Sequence, residues 1–543
     1  MHSPASESRR RRIKSKRSRA GCRTCRARHI KCDETPGCCR NCTSTGRSCD
    51  GYDMHRLPAM SKSLVKLLGA SQIAVDIGNG FRWAMTSDER RCFSYFQHHS
   101  VPTFCETVDS SLWQRLVLQM AQSDPAVYHA AVALSALHQD SEAKAMPLAA
   151  DIPAHQDTWP RFAQEQLGRA FQILTRRRAS HDPRLRDITL LCCLLFVLSD
   201  LLRGQYDGAF AHLQSGLRIL QELQAERELV APTPRQEQVE QCLVAAFAHL
   251  DITSAHFGVG APLLCIDVLP REPHPHPHPH SPIPFHTLRE TRDALHLVLS
   301  ASYRFMVPCM GMSETEIAEN YGPILSEQLD IISQITHFWD SFSPFYYTSY
   351  PHISHIDQRS AEIIHLQYIG LLVSVKTCTL GRNESALSYF TPELETIVAL
   401  AESILDRFPK RPTISVDFGI IAPLYHPALS CRDYTVRWRA IKLLRAWPHR
   451  EGPFDSNWIA SLAEEALRLE LLSRPGDGLD IGFSLSGLED DDEFSPKRIL
   501  TWIHYRHSAY PSQIADSCYM VFGDYKRITE QIPDSHRYHL AEM

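Results

Sequence analysis

Residues 22–52 read CRTCRARHIKCDETPGCCRNCTSTGRSCDGY. Six cysteines fall in a repeated frame: Cys22-x2-Cys25-x6-Cys32, a loop, then Cys39-x2-Cys42-x6-Cys49. A seventh, Cys38, adjoins Cys39, but only Cys39 keeps the two-residue spacing to Cys42, so Cys38 reads as a spare. Arg26, Arg28, His29 and Lys31 are interleaved with the first three thiols. Thiols set among cations are what a metal cage held against a polyanion requires.

The number of thiols constrains the metal. Structural zinc takes four thiolates in a tetrahedron. Six are too many for one ion and too few for two separate ions, so two ions require two bridging cysteines. Six thiolates and two divalent ions sum to −2. Nearby arginine and lysine offset that excess and remain available to phosphates. The competing readings are a thiol-rich metal buffer and a disulfide knot; the spacing and interleaved cations favour the cage.

The rest of the chain sets this segment apart. Of the 17 cysteines, seven lie between Cys22 and Cys49. Residues 1–50 hold 14 Lys/Arg against 4 Asp/Glu, a balance of +10, whereas the remainder holds 43 against 58, a balance of −15. A basic arm on an acidic body points to a polyanion partner for the arm alone. The opening MHSPASESRRRRIKSKRSR lacks an apolar core and does not read as a secretory signal, so a reducing compartment is expected, where clustered thiols are metal ligands. The run RRRRIKSKRSR (9–19) is a like-charge block, expected to be a disordered nuclear import signal, a phosphate-binding arm, or both.

The stretch 22–52, with its basic run, its Pro36 loop and its closing STGRSC, resembles the fungal binuclear zinc-cluster DNA-binding domain. The resemblance implies two zinc ions, with Cys22 and Cys39 bridging, Cys25 and Cys32 completing one ion, and Cys42 and Cys49 the other. It also implies a nuclear regulator of RNA polymerase II transcription that binds double-stranded DNA through two short helices and loops. Cys25 to Lys31 has good helix formers and no Gly or Pro, so a short helix is predicted there. By the resemblance, Arg28 and His29 read bases in a G/C-rich triplet. Family members usually carry Lys or Arg where His29 stands, and histidine is mostly neutral at pH 7. Arg26, Lys31, Arg40 and Arg47 read as phosphate contacts, which position without specifying.

The chain then divides into a basic arm (1–20), the cluster (21–52), a linker (53–80) and a large, mostly α regulatory region (81–543). Hydrophobic content of 43% supports a buried core there. The linker shows no apolar heptad sustained over three repeats, leaving monomer and homodimer both open. Asp124 reads as an N-cap with Pro125 at the first helical position. ITLLCCLLFVL (188–198) is too short to span a bilayer and reads as a buried helix, joined near Gly204 to a second. Positions 394, 397, 398, 401, 404 and 405 form one stripe; Val436, Ala440, Leu443, Leu444 and Trp447 form another, stopping at Pro448. Stretches such as SDERRCFSYFQHHSVP and CRDYTVRWRAIKLLRAWPHREG, spread over residues 87–452, resemble the fungal-specific transcription factor domain. This implies co-regulators or transcription machinery as further partners.

Other features read more blandly. PHPHPHPH (273–280), within a His-Pro linker at 272–286, is a Pro-stiffened spacer before it is a chelator. LEDDDEF (488–494) fits an acidic loop and an activation segment equally. His129, His138, His212 and His249 read as hydrogen-bonded core or boundary residues. No phosphate-binding loop, dinucleotide fingerprint, H-E-x-x-H or nucleophile elbow occurs, so no enzyme is expected. The alternative functions are an interaction or ligand-sensing scaffold whose zinc module reads no DNA site, and a metal-handling protein.

Overall fold

The computed structural model describes residues 20–52, 57, 83, 85–106, 110–146, 158–227, 234–256, 262, 283–380 and 384–473. The basic arm, nearly all of the 53–80 linker, the PHPHPHPH tract and the acidic 488–494 segment lie outside them. The chain divides into two compact units, Met1–Ser94 and Tyr95–Met543.

In the first unit, two short helices, α1 (Arg23–Ala27) and α2 (Arg40–Thr43), flank the cysteine cluster. Buried Cys22, Cys25, Cys32, Cys39 and Cys42 form its core, with Cys49 and Tyr52 packed against it. Thiols, not aliphatic side chains, make up this core, as expected where a metal replaces a hydrophobic interior. Helix α3 (Ser87–Tyr95) begins with a capping box. The Glu89 amide donates to Thr86 Oγ1 at 3.3 Å, and the Thr86 amide donates to Glu89 Oε2 at 2.8 Å.

The second unit is helical. Helix α4 (Pro125–Ala143) opens as its sequence predicts: Asp124 accepts from the Ala126 amide and Pro125 occupies the first turn. It is buried on nearly every face and packs against α5 (Thr158–Arg177) and α6 (Leu185–Leu202). The apolar run with Cys192 and Cys193 is the buried interior of α6. Gly204, at φ 65°, turns the chain into α7 (Tyr206–Arg227), which packs back on α6. There follow α8 (Pro234–His256), α9 (Leu288–Gly311), α10 (Tyr321–Ser349) and α11 (His355–Thr377), the last three sharing one apolar core.

A second core joins α11 to α12 (Thr391–Arg407), α13 (Ile421–Ser430), α14 (Tyr434–Ala446) and α15 (Ser456–Ser473). In α12 the buried residues are Leu394, Ile397, Val398, Ala401, Ile404 and Leu405, the predicted stripe. Helix α14 is capped by Asp433 and buries Val436, Ala440 and Leu444. A small sheet was not predicted: β1 (Ile414–Ser415) pairs parallel with β2 (Arg450–Glu451), which pairs antiparallel with β3 (Phe454–Asp455). Two-residue strands are too short to show alternation. Among the described residues no helix is long and apolar enough to cross a membrane.

Candidate metal centre and nucleic-acid interface

The cluster is built twice. Cys22 caps α1, its thiol accepting from the Cys25 amide at 3.3 Å; Cys39 caps α2, accepting from the Cys42 amide at 3.3 Å. The Cys22 amide donates to Cys32 Sγ at 3.3 Å, and the Cys39 amide donates to Cys49 Sγ at 3.4 Å. Each contact in the first half therefore recurs in the second, 17 residues on, the spacing of Cys22 from Cys39. The helices also end alike. Ile30 N–H reaches Cys25 O at 3.0 Å and His29 N–H reaches Arg26 O at 3.1 Å; Arg47 N–H reaches Cys42 O at 3.0 Å and Gly46 N–H reaches Thr43 O at 3.1 Å. These are paired Schellman closures, with His29 (φ 56°) and Gly46 (φ 64°) in the left-handed position.

This corrects the predicted helix between Cys25 and Lys31. It starts earlier, because a thiol supplies the N-cap, and ends earlier, because His29 takes the conformation that stops it. Arg26 lies in its last turn, Arg28 is its C-cap, His29 and Lys31 follow it, and His29 and Lys31 are exposed. Arg40 opens α2 and Arg47 follows it, both exposed. All six side chains belong to this one small unit.

The donor set suits a metal. Cys22 Sγ lies 3.5 Å from Cys39 Sγ and 3.8 Å from Cys42 Sγ; Cys25 Sγ lies 3.6 Å from Cys39 Sγ and 3.8 Å from Cys42 Sγ. The edge of a zinc–thiolate tetrahedron is about 3.8 Å. Cys39 also falls within reach of Cys32 and Asp33 and so belongs to two donor groups, whereas the closest quartet, Cys22, Cys25, Cys39 and Cys42, draws on both expected ligand sets. Every described cysteine is a free thiol, and Cys38 is exposed.

Electrostatics separates central from outer thiols. Burial pushes Cys22 and Cys39 well above the usual thiol range and raises Cys25 as well. Burial acts on Cys32 too, but the amides of Cys22 and Glu34 outweigh it and bring this thiol down to about 7. Cys49 is likewise lowered, by the amides of Cys39 and Gly51. Buried central thiols need a cation among them to ionise.

Acidic residues that the sequence reading passed over frame the cluster. Asp33 accepts from the Arg40 and Asn41 amides at 3.1 and 3.2 Å, capping α2. Asp50 holds the Thr24 hydroxyl at 2.9 Å on α1. From α3, Glu89 pairs with buried Arg23, Asp88 Oδ2 lies 3.4 Å from Arg26 Nη2, and Arg90 donates to His29 Nε2 at 3.2 Å. The sequence marks this segment as a family stretch and, by the capping box at Thr86–Glu89, as a helix start, but neither signal names its neighbour.

A metal-stabilised cage with cations on its surface, followed by a helical unit, defines a metal-dependent nucleic-acid-binding regulator. The profile described as "Fungal Zn(2)-Cys(6) binuclear cluster domain" matches residues 20–57, and that described as "Fungal specific transcription factor domain" matches residues 91–416. The chain belongs to this fungal transcription factor family; it is a zinc-cluster transcription regulator with two zinc ions, not an enzyme. It is 24% identical over 567 residues to the aspercryptin biosynthesis cluster-specific transcription regulator atnN of Emericella nidulans, across 86% of this chain and 89% of that protein. It is 28% identical over 192 residues to transcription regulator lscL of Purpureocillium lilacinum, across 34% of this chain and 45% of that protein. No solved structure gave a significant match.

Proposed function

We propose that the protein is a nuclear, sequence-specific regulator of RNA polymerase II transcription. In this reading Cys22, Cys25, Cys32, Cys39, Cys42 and Cys49 hold the two zinc ions, with Cys22 and Cys39 shared. The ions supply the folding energy of the cluster, and this chain's residues do the rest. Arg28 and His29 address base edges in the major groove of a G/C-rich triplet, where a guanidinium pairs with guanine N7 and O6. Arg26, Lys31, Arg40 and Arg47 contact phosphates and set the register.

The observation that carries the reading is the duplicated frame with unequal charge: one half carries Arg26, Arg28, His29 and Lys31, the other only Arg40 and Arg47. A metal buffer would have no need of that asymmetry. The helical unit recruits co-regulators or receives a signal. The name of the Emericella nidulans relative, a biosynthesis cluster-specific regulator, supports a biosynthetic gene cluster as the regulated target. Random-site selection with the zinc-loaded full chain tests the proposal. An enriched triplet is expected, and a second half-site at fixed spacing would indicate a homodimer. Recovery of unenriched DNA at all salt concentrations would favour the scaffold reading instead.

A further inference from the structure

The helical unit contains a second set of metal-ligand side chains. His249 on α8, His296 on α9 and Asp417, just past β1, are 3%, 6% and 7% exposed. Asp417 Oδ1 lies 3.8 Å from His249 Nδ1 and 3.9 Å from His296 Nε2. One ligand atom from each of the three lies within 4.8 Å of the other two.

These histidines differ from the other buried ones. His129 Nδ1 pairs with Gln166 Oε1 at 2.7 Å. His138 is bonded on both sides, to Ser100 Oγ at 2.9 Å and Thr413 Oγ1 at 3.0 Å. His449 pairs with Trp447 O at 2.7 Å and Glu451 Oε1 at 2.8 Å. By contrast, neither ring nitrogen of His249 nor Nε2 of His296 has a hydrogen-bond partner. Buried polar groups are normally satisfied, and a set of orphans converging on one carboxylate oxygen calls for an explanation. The sequence reading of His249 as a hydrogen-bonded core residue is thus corrected.

We propose that His249, His296 and Asp417 bind one divalent first-row transition ion of the zinc type. Two imidazoles and a carboxylate are a common three-ligand set for such ions, leaving a fourth position for water. Metal–ligand bonds of about 2.0–2.2 Å imply donor spacings near 3.3 Å, so each imidazole nitrogen needs to close on the Asp417 oxygen by only about 0.5 Å. The outer partners are in place. Arg292 Nη1 lies 3.3 Å from Asp417 Oδ2, and the Phe418 amide donates to Oδ1 at 2.9 Å, orienting the carboxylate. The Phe418 ring stands edge-on to both imidazoles, with centroids 4.2 and 5.3 Å away, and walls the site. A bound ion would tie α8, α9 and the β1 segment together. The grouping of His99, His138 and Glu142 is a weaker candidate, because Tyr95, Thr413 and Ser100 already satisfy it.

The test is metal stoichiometry of the full chain, by native mass spectrometry and elemental analysis in excess Zn²⁺. Three ions are expected for the wild type and two for both Asp417→Asn and His296→Gln, which keep size and polarity. Cobalt substitution should add a visible band free of sulfur charge transfer that both variants lose. A variant with serine at the four histidines of 273–280 should still bind three. Saturation of the wild type at two ions would overturn the proposal. So would persistence of the third ion in both variants, or its loss when the His-Pro tract is changed.

Discussion

The two halves of the zinc cluster share a scaffold and differ in surface. Residues 22–32 and 39–49 repeat the same thiol caps, the same amide-to-thiol bonds and the same left-handed helix stop. Yet α1 bears an arginine in its last turn and another at its C-cap, where α2 ends in Thr43 and Ser44. Geometry is thus duplicated, while charge is concentrated on one half, as the proposed division between metal binding and DNA reading requires. The difference separates what a residue does for the fold from what it does for recognition.

The strongest way to break the comparison is to remove a shared element. Cys22→Ser and Cys39→Ser should each abolish both ions together and lower specific DNA affinity by about 10³-fold, the usual gap to non-specific binding. Cys38→Ser, at an exposed thiol outside the repeat, should change neither. Native mass spectrometry with binding at fixed salt reads both. Loss of only one ion from either variant would mean the sulfur is not shared.

Next in size is the recognition asymmetry. Arg28→Ala should flatten the preference at one base position by about 1–3 kcal/mol. Arg47→Ala should weaken all sequences alike and reduce the salt slope by about 1. Competition against single-base variants of the selected site, at several salt concentrations, separates the two. An equal loss of discrimination in both would show that the halves are functionally equivalent.

Smaller still is the helix stop. His29 and Gly46 occupy matching left-handed positions, and a Cβ at Gly46 would meet nothing within 4 Å, so only backbone strain separates Gly from Ala there. Gly46→Ala should destabilise the cluster by about 1 kcal/mol, and His29→Gly should stabilise it by a similar amount. Thermal unfolding of the zinc form checks both signs. If His29 also reads a base, His29→Gly will lose specificity while gaining stability, a split that a purely structural histidine would not produce.

What could be read in advance follows from the range of each signal. Cysteine spacing is local and chemically narrow, so the metal count and the paired frame were legible. The α12 stripe and the Asp124–Pro125 start were legible because period and cap lie in adjacent residues. The limits of α1 were not, because a thiol cap and a left-handed histidine replace the residues that usually mark helix ends. The β1–β2 pairing and the His249–His296–Asp417 set join segments that are not neighbours in sequence, and no local pattern announces such pairing.

The smallest effect sharpens the same contrast. Arg26 matches Thr43 in the second half, and only Arg26 faces an acid, Asp88, at 3.4 Å. Both side chains are about nine-tenths buried, so the pair is poorly screened and competes with phosphate for one cation. Asp88→Asn removes the competitor without removing bulk. DNA affinity should rise by a few-fold, roughly 1 kcal/mol or less, with the salt slope steepening by about 0.9 as one more phosphate is neutralised. The shift should be equal for specific and random DNA if Arg26 contacts phosphate as proposed. A fall in affinity would instead make Asp88 a residue that holds Arg26 in its DNA-ready orientation.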